Sequence, residues 1–346
     1  MKIALDASYS LDRDLSGVGV YSLEMLEGLA AAHPEARFQF CYRAHRLARS
    51  FGTRLPGNAK RFLLAENRAP QSADIFHALN QRLPRARPRH TIVTFHDLFV
   101  LTGEYSTREF RERFAGQARD AAARAEHIIT VSHFTARQVS ELLGVGPERI
   151  HVVHHGVRPA PARAVRREKI VLHVGAIQLR KNIARLVDAF EKLDREWQLV
   201  LAGSQGYGAY EILSKIEAAD SRDRIRVLGY VPARELGSWY QRAMIFAFPS
   251  LDEGFGMPVL EAMASGTPVI ASNRSAIPEV AGDAAWLVNP EDTEELASAL
   301  VGLSKQDERR EELARRGLAR AGLFTWDAAV EKTWQVYVSA LGGAPD

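Results

Sequence analysis

Short apolar runs recur along the whole 346-residue chain: Ile3 to Leu5, Thr91 to Phe95, Ile128 to Val131, Ile150 to Val153, Ile170 to Val174, Leu199 to Ala202, Ile225 to Leu228 and Met244 to Phe248. Between them lie stretches with apolar residues at helical spacing, such as Val20, Leu23, Leu26 and Leu29, or Leu186, Val187, Phe190 and Leu193. Strands that alternate with helices are joined by crossovers, and crossovers build parallel sheets covered by helices. The fold class is therefore α/β. A chain of this length exceeds one usual core, so two domains are expected. The break is placed in the proline-bearing, charged and aromatic-free stretch 158–167, with domains at 1–158 and 168–325.

Two carboxylates, Glu253 and Glu261, stand eight residues apart on either side of Gly254-Phe255-Gly256-Met257-Pro258. The preceding run Met244 to Phe248 reads as a buried strand, and Pro258 suits the first position of a helix, where its missing N–H would be unpaired anyway. Glu253 then lies in a strand-to-helix loop and Glu261 on the first helical turn. Gly254 and Gly256 let the backbone approach a ligand, and the amides at the helix start suit phosphate or sugar oxygens.

A second polar segment, Arg180-Lys181-Asn182, follows the strand Ile170 to Val174 and precedes a helix. Carboxyl ends of parallel strands open onto a common crevice, so these cations can face the glycine loop across one ligand. Arginine offers a planar fork and lysine a point charge, a pair that can neutralise a diphosphate. By itself the pair reads equally well as a solvated helix start.

Taken together, the chain resembles the retaining glycosyltransferases of the GT-B fold, group 1 (family 4). The likeness is carried by Glu253 to Glu261, by Gly-Thr-Pro-Val-Ile at 266–270 and by Arg180-Lys181-Asn182. It is carried also by Ser16-Gly17-Val18-Gly19-Val20-Tyr21, His96-Asp97, Ile129-Thr130-Val131-Ser132 and Phe324-Thr325-Trp326. The resemblance implies two Rossmann-like domains facing each other across a cleft, with a final helix, 326–346, crossing back to the N-terminal domain. It implies transfer of a hexose from a nucleotide-diphosphate sugar to an acceptor hydroxyl, with retention and without a metal or other cofactor. Similarity to bacterial polysaccharide mannosyltransferases suggests GDP-mannose as donor, and a saccharide or lipid-linked acceptor in polysaccharide, lipopolysaccharide or glycolipid synthesis.

The same resemblance assigns roles. His96, Arg180, Lys181 and Glu253 are the expected catalytic residues: Arg180 and Lys181 hold the diphosphate, Glu253 the sugar hydroxyls, and His96 stands beside sugar and acceptor. Donor binding is expected from Gly17, Gly19, Gly203, Ser204, Tyr230, Val231, Gly254, Phe255, Gly256, Met257, Val259 and Glu261, with Glu261 on the ribose hydroxyls. Where the family often has an asparagine and an acid around the hinge glycine, this chain has His155 and Arg158. At that departure the family's hinge contacts are not carried over to this chain.

Two other classes remain open on the residues alone. A glycoside hydrolase could use Glu253 and Glu261 as acid and nucleophile, although it needs no diphosphate clamp. A nucleotide-dependent oxidoreductase would want a third glycine after Gly17 and Gly19, where Ser22 stands. His151, His154 and His155 do not read as a metal site, because His151 and His154 should diverge along an extended strand.

Charge and composition narrow the partners. Residues 1–158 carry 22 Lys and Arg against 16 Asp and Glu, whereas 159–346 carry 23 against 26. The basic half suits an anionic acceptor or membrane surface, and no nucleic-acid motif accompanies it. The run Arg82-Leu83-Pro84-Arg85-Ala86-Arg87-Pro88-Arg89 reads as a solvated loop. Phe110, Phe114 and Ala118 share a face of a helix opening near Ser106, which could lie on an anionic lipid surface or simply pack in the domain core. Cys41 is alone, so no internal disulfide forms. No apolar run approaches membrane-spanning length, and neither secretion nor a membrane span is expected. A cytoplasmic protein, peripheral at the inner membrane face, is the expectation.

Overall fold

A computed structural model of the chain describes residues 1–12, 14–67, 70, 72–159 and 165–343. The centre of the stretch 158–167, where the sequence places the linker, lies outside them. The chain divides into two compact units: Met1–Thr102 with Arg108–Gly156 and Trp326–Asp346, and Gly103–Thr107 with Val157–Thr325.

The first unit is built on strands β1 (Lys2–Asp6), β2 (Arg37–Arg43), β3 (Ala59–Leu64), β4 (Ile75–Ala78), β5 (His90–Phe95), β6 (His127–Thr130) and β7 (Ile150–Val152). They pair in the order β3-β2-β1-β4-β5-β6-β7, every pair parallel. Continuous apolar residues in β1, β5 and β6 reflect burial on both sheet faces, as parallel sheets require. Phe114 and Ala118 of helix Arg108–Arg124 join Phe76, Val93 and Ile128 in this core, whereas Phe110, one turn earlier, is exposed. The shared apolar face thus goes mainly to packing.

The last helix, Trp326–Ala340, belongs to this first unit although it closes the chain. It lies against helix Gly17–Ala32 so closely that a β-carbon on Gly28 would come within 2.5 Å of Val330 Cγ2. Trp334 stacks on His33 at 3.5 Å, and Tyr337 Oη lies 2.6 Å from His77 Nδ1.

The second unit carries β8 (Glu168–Val174), β9 (Gln198–Ala202), β10 (Ile225–Gly229), β11 (Ala243–Phe248), β12 (Val269–Ser272) and β13 (Trp286–Val288). The order is β10-β9-β8-β11-β12-β13, again parallel throughout. Connections run outward from β8 through β9 to β10, then return to β11 on the other side of β8. The chain therefore diverges at the carboxyl ends of β8 and β11, the point where an open α/β sheet forms its ligand crevice. Below it, Leu186, Val187 and Phe190 of helix Ile183–Phe190 pack with Trp197, Leu199 and Ile245. That rigid floor holds the two polar segments singled out from the sequence.

Candidate functional site

β8 leaves its sheet through Gly175, whose φ of +154° is one that L side chains rarely adopt. The loop after it runs beside the loop after β9: Ile177 N donates to Ser204 O at 2.8 Å, and Gly206 N to Ile177 O at 2.8 Å. Arg180 and Lys181 sit on the single 3-10 turn Leu179–Lys181, which ends at Asn182 in the left-handed region with φ +57°. Asparagine tolerates that conformation better than most residues. Its Nδ2 donates to Pro249 O at 3.1 Å and to Pro290 O at 2.6 Å. The turn is thereby tied to the loop that follows β11, and Leu251 N donating to Arg180 O at 2.9 Å adds a second tie.

Glu253 meets both cations. Lys181 Nζ lies 2.5 Å from Glu253 Oε1 and Arg180 Nη1 2.9 Å from Oε2, with all three side chains less than a tenth exposed. Arg180 Nη1 also donates to the carbonyl of Asp252. Burial pushes the Glu253 carboxyl up, but Arg180 first and Lys181 second outweigh it and hold the group down at about 2. The residues expected to divide diphosphate and sugar between them are thus joined in one ionised cluster. The reason is electrostatic: two cations at the start of a helix, withdrawn from water, need an anion beside them.

Beneath the cluster lies an aromatic pair that sequence reasoning missed. Lys181 Nζ stands 4.7 Å from the centroid of the Phe248 ring, and the His173 ring stacks on that phenylalanine at 5.7 Å. His173 is fully buried on β8 and contacts Ala247 O of β11 through Nδ1 at 3.0 Å, so it bridges the strands that define the crevice. Burial, opposed by that hydrogen bond and reinforced by Lys181, lowers it to about 4. The ring is neutral at physiological pH, Nδ1 carries the proton donated to Ala247 O, and the buried Nε2 has no partner among the described residues. A histidine inside an apolar run was the available signal.

The helix after the glycine loop spans Met257–Ala264, so Pro258 is its second residue and Glu261 its fifth, each one position later than the sequence suggested. The helix begins earlier because Gly256, at φ +101°, absorbs the turn; a β-carbon there would meet Ile277 Cδ1 at 2.5 Å. Phe255 points inward, edge-on to Phe324 at 6.0 Å, and Val259 is fully buried. Any donor contact from these two therefore comes from backbone. The backbone of Glu253 is pinned by Ser275 Oγ, which accepts from Glu253 N at 3.0 Å, and by Ala276 N, which donates to Glu253 O at 3.2 Å. Half-buried Glu261 accepts a hydrogen bond from Tyr240 Oη at 2.7 Å through Oε2. Burial holds its carboxyl above the ordinary value, and the Tyr240 bond offsets only part of that rise. Gly203, Ser204, Tyr230 and Val231 follow the carboxyl ends of β9 and β10, with Ser204 and Tyr230 exposed.

The remaining expected residues belong to the first unit. Gly17 and Gly19 lie on the first turn of helix Gly17–Ala32 rather than in a loop before it, because Ser16 caps the helix by accepting from Gly19 N at 3.3 Å. His96 follows β5; its Nε2 donates to Leu79 O at 2.9 Å, so a backbone carbonyl sets its tautomer and leaves Nδ1 as the acceptor. Burial, partly offset by that bond, lowers His96 to about 4. Its ring meets Tyr21 edge-on at 4.8 Å. His151 Nε2 lies 2.9 Å from His127 Nδ1 across β6 and β7.

Residues 159–320 match the family model described as glycosyl transferases group 1, and residues 15–160 match that of glycosyltransferase family 4. The chain is 31% identical to a D-inositol 3-phosphate glycosyltransferase of Xylanimonas cellulosilytica, over 76% of this chain and 68% of that protein. The protein belongs to the group 1, family 4 glycosyltransferases. It is 29% identical to O-antigen chain mannosyltransferase B of Escherichia coli, over 97% of this chain and 99% of that one. Among solved structures, a sucrose-phosphate synthase from Thermosynechococcus elongatus superposes with a TM-score of 0.81 at 20% identity, covering 99% of each chain. That likeness establishes the fold, two Rossmann-like parallel-sheet domains as in GT-B glycosyltransferases. In this group 1 glycosyltransferase no helix among the described residues is long and apolar enough to cross a membrane.

Proposed function

We propose that this glycosyltransferase moves mannose from GDP-mannose to a hydroxyl of a saccharide or lipid-linked acceptor, with retention and without a metal ion, in bacterial polysaccharide, lipopolysaccharide or glycolipid synthesis. The observation that carries the reading is the buried Arg180, Lys181 and Glu253 cluster at the switch point of the second sheet. Near-full-length similarity to an O-antigen mannosyltransferase supports the choice of sugar and pathway class.

Breaking a glycosyl phosphate bond leaves negative charge on the departing diphosphate and positive charge on the sugar ring. Fixed cations in a water-poor site stabilise the first, and Arg180 and Lys181 supply them. Glu253, ionised and a strong acceptor, receives the sugar hydroxyls, and Glu261 receives those of the ribose. The acceptor hydroxyl attacks from the face the diphosphate leaves, with a phosphate oxygen taking its proton. By the family resemblance, Gly17 and Gly19 are assigned to the phosphates and His96 to sugar and acceptor. Glu253 makes a poor general acid for hydrolysis, since it is held at about 2.

The basic first unit, with Phe110 exposed on helix Arg108–Arg124, fits peripheral contact with an anionic membrane at the cytoplasmic face. A transfer screen tests the whole reading. Purified protein is given GDP-mannose, UDP-glucose or UDP-N-acetylglucosamine, with and without EDTA, and product anomers are read by NMR. The reading expects turnover with GDP-mannose, undiminished by EDTA, and an α-linked product. Turnover only with a uridine donor, loss of turnover in EDTA, or an inverted anomer each overturns its part.

A further inference from the structure

We propose that Glu253 is an exchangeable counter-ion of the diphosphate clamp, so that the site favours intact donor over spent nucleoside diphosphate. The inference rests on the proposed roles of Arg180, Lys181 and Glu253 and adds a coupling between them. In the structure both cations are engaged from within, and one of their two charges is offset: Lys181 Nζ at 2.5 Å and Arg180 Nη1 at 2.9 Å occupy the two oxygens of one carboxylate. A diphosphate would draw on the same two cationic head groups. If Glu253 stayed in place, its negative charge would stand beside two phosphates in a buried site, where like charges repel strongly.

Glu253 can leave only if something else satisfies it. Its backbone is held by Ser275 and Ala276, so the movement available is rotation of the side chain about a fixed main chain. The hydroxyls of a transferred sugar are donors that a carboxylate accepts well, and they come only with intact donor. Lys181 meanwhile keeps the Phe248 ring beneath its ammonium at 4.7 Å, a contact that does not depend on Glu253. With donor bound, the exchange is complete: cations to phosphate, carboxylate to sugar. Once the sugar has gone to the acceptor, Glu253 has no hydroxyls to accept from, returns to the cations and competes with the nucleoside diphosphate. One residue thereby links sugar recognition to phosphate binding and speeds product release.

The test is calorimetric titration of GDP, GDP-mannose and inorganic pyrophosphate into wild type, Glu253→Gln and Glu253→Asp. The amide of Glu253→Gln is uncharged and competes far less well for the cations. We expect GDP and pyrophosphate to bind Glu253→Gln about tenfold tighter than wild type, while GDP-mannose gains much less, so that the preference for donor over product shrinks. Glu253→Asp keeps the charge but falls one methylene short; it should shift the preference in the same direction by less, and it covers the case in which Glu253→Gln fails to fold. Unchanged or weaker GDP and pyrophosphate binding in folded variants overturns the exchange, as does equal tightening of GDP and GDP-mannose. If Arg180→Ala and Lys181→Ala leave pyrophosphate affinity unchanged, the clamp assignment itself is wrong and the exchange falls with it.

Discussion

Gly203 and Gly175 meet backbone to backbone: a β-carbon on Gly203 would lie 1.9 Å from the Gly175 carbonyl oxygen and 2.5 Å from its carbonyl carbon. Neither loop can give, since Gly203 N donates to Gly229 O at 2.8 Å and Gly175 N to Ala202 O at 2.9 Å. The contact locks the loops after β8, β9 and β10 into one rim. Gly203→Ala must therefore displace main chain, and overpacking of this kind costs about 1–3 kcal/mol or more. We expect a lowered midpoint in urea unfolding and loss of nucleotide binding together. A variant with wild-type stability and affinity would show that the rim is not rigid.

The clamp predicts a loss of affinity on either truncation. A charge-assisted hydrogen bond to phosphate contributes about 1.5–3 kcal/mol, so Arg180→Ala or Lys181→Ala should weaken donor binding at least about tenfold. Each variant also leaves Glu253 with one cation instead of two, which raises its pKa toward the usual carboxylate range. Calorimetry against GDP-mannose and GDP reads the first effect. Unchanged affinity in both variants contradicts the assignment.

Much of this site was legible because its chemistry is local. Arg180-Lys181, Glu253 and Glu261 announce themselves as charged residues beside strand ends, and the sequence order alone places them at one crevice. The long apolar strands β5, β8 and β11 were equally plain. Strands β2 and β3 were not: Arg37-Phe38-Gln39-Phe40-Cys41-Tyr42-Arg43 alternates polar and apolar residues, and β3, at the sheet edge, exposes Lys60, Phe62 and Leu63. β3, at the edge, lacks the double burial that produces an unbroken apolar run, whereas β2 is buried from Phe38 to Arg43 and hides its polar Gln39 and Arg43 in hydrogen bonds to Ser72 and to Asp6 and Glu66. The pairing of Glu253 with both cations was hidden for another reason. It joins Glu253 to Lys181, 72 residues away, and to the neighbouring Arg180, and no spacing rule reports a contact made by folding.

Glu253 also gives stability a pH signature. Its carboxyl lies at about 2 in the folded protein against an ordinary value of 4.5, so the unfolded chain binds its proton first as pH falls. The stabilisation, about 3 kcal/mol at most by linkage, is complete above pH 4.5 and is lost as pH drops through the folded value. Other carboxylates titrate in the same range, so the informative quantity is a difference. The stability gap between wild type and Glu253→Gln, from urea unfolding, should be constant from pH 7 to 5 and narrow progressively below that. A gap independent of pH down to 3 would mean that Glu253 is not held by its cations in solution.

The last prediction concerns the helix that closes the chain. Tyr337 Oη lies 2.6 Å from His77 Nδ1, and His77 Nε2 lies 2.9 Å from Thr94 Oγ1, which in turn stands 3.0 Å from Tyr21 Oη. Burial, with His96 adding to it, lowers His77 to about 3, so the ring is neutral and has a single proton to give. Donation from Nε2 to Thr94 leaves Nδ1 to accept from Tyr337, an assignment that satisfies both ring nitrogens inside the core. Tyr337→Phe keeps the ring and removes the donor, stranding a buried acceptor at a cost of about 1–3 kcal/mol. Because the phenylalanine ring fills the same space, the loss should appear in the unfolding midpoint without a change in the slope that reports exposed surface. His77→Phe in the Tyr337→Phe background removes the stranded nitrogen along with its missing partner, and should cost less than the two single changes added together. Additive losses would show that the two side chains are not coupled, and that this hydrogen bond does not help to hold the returning helix in the first unit.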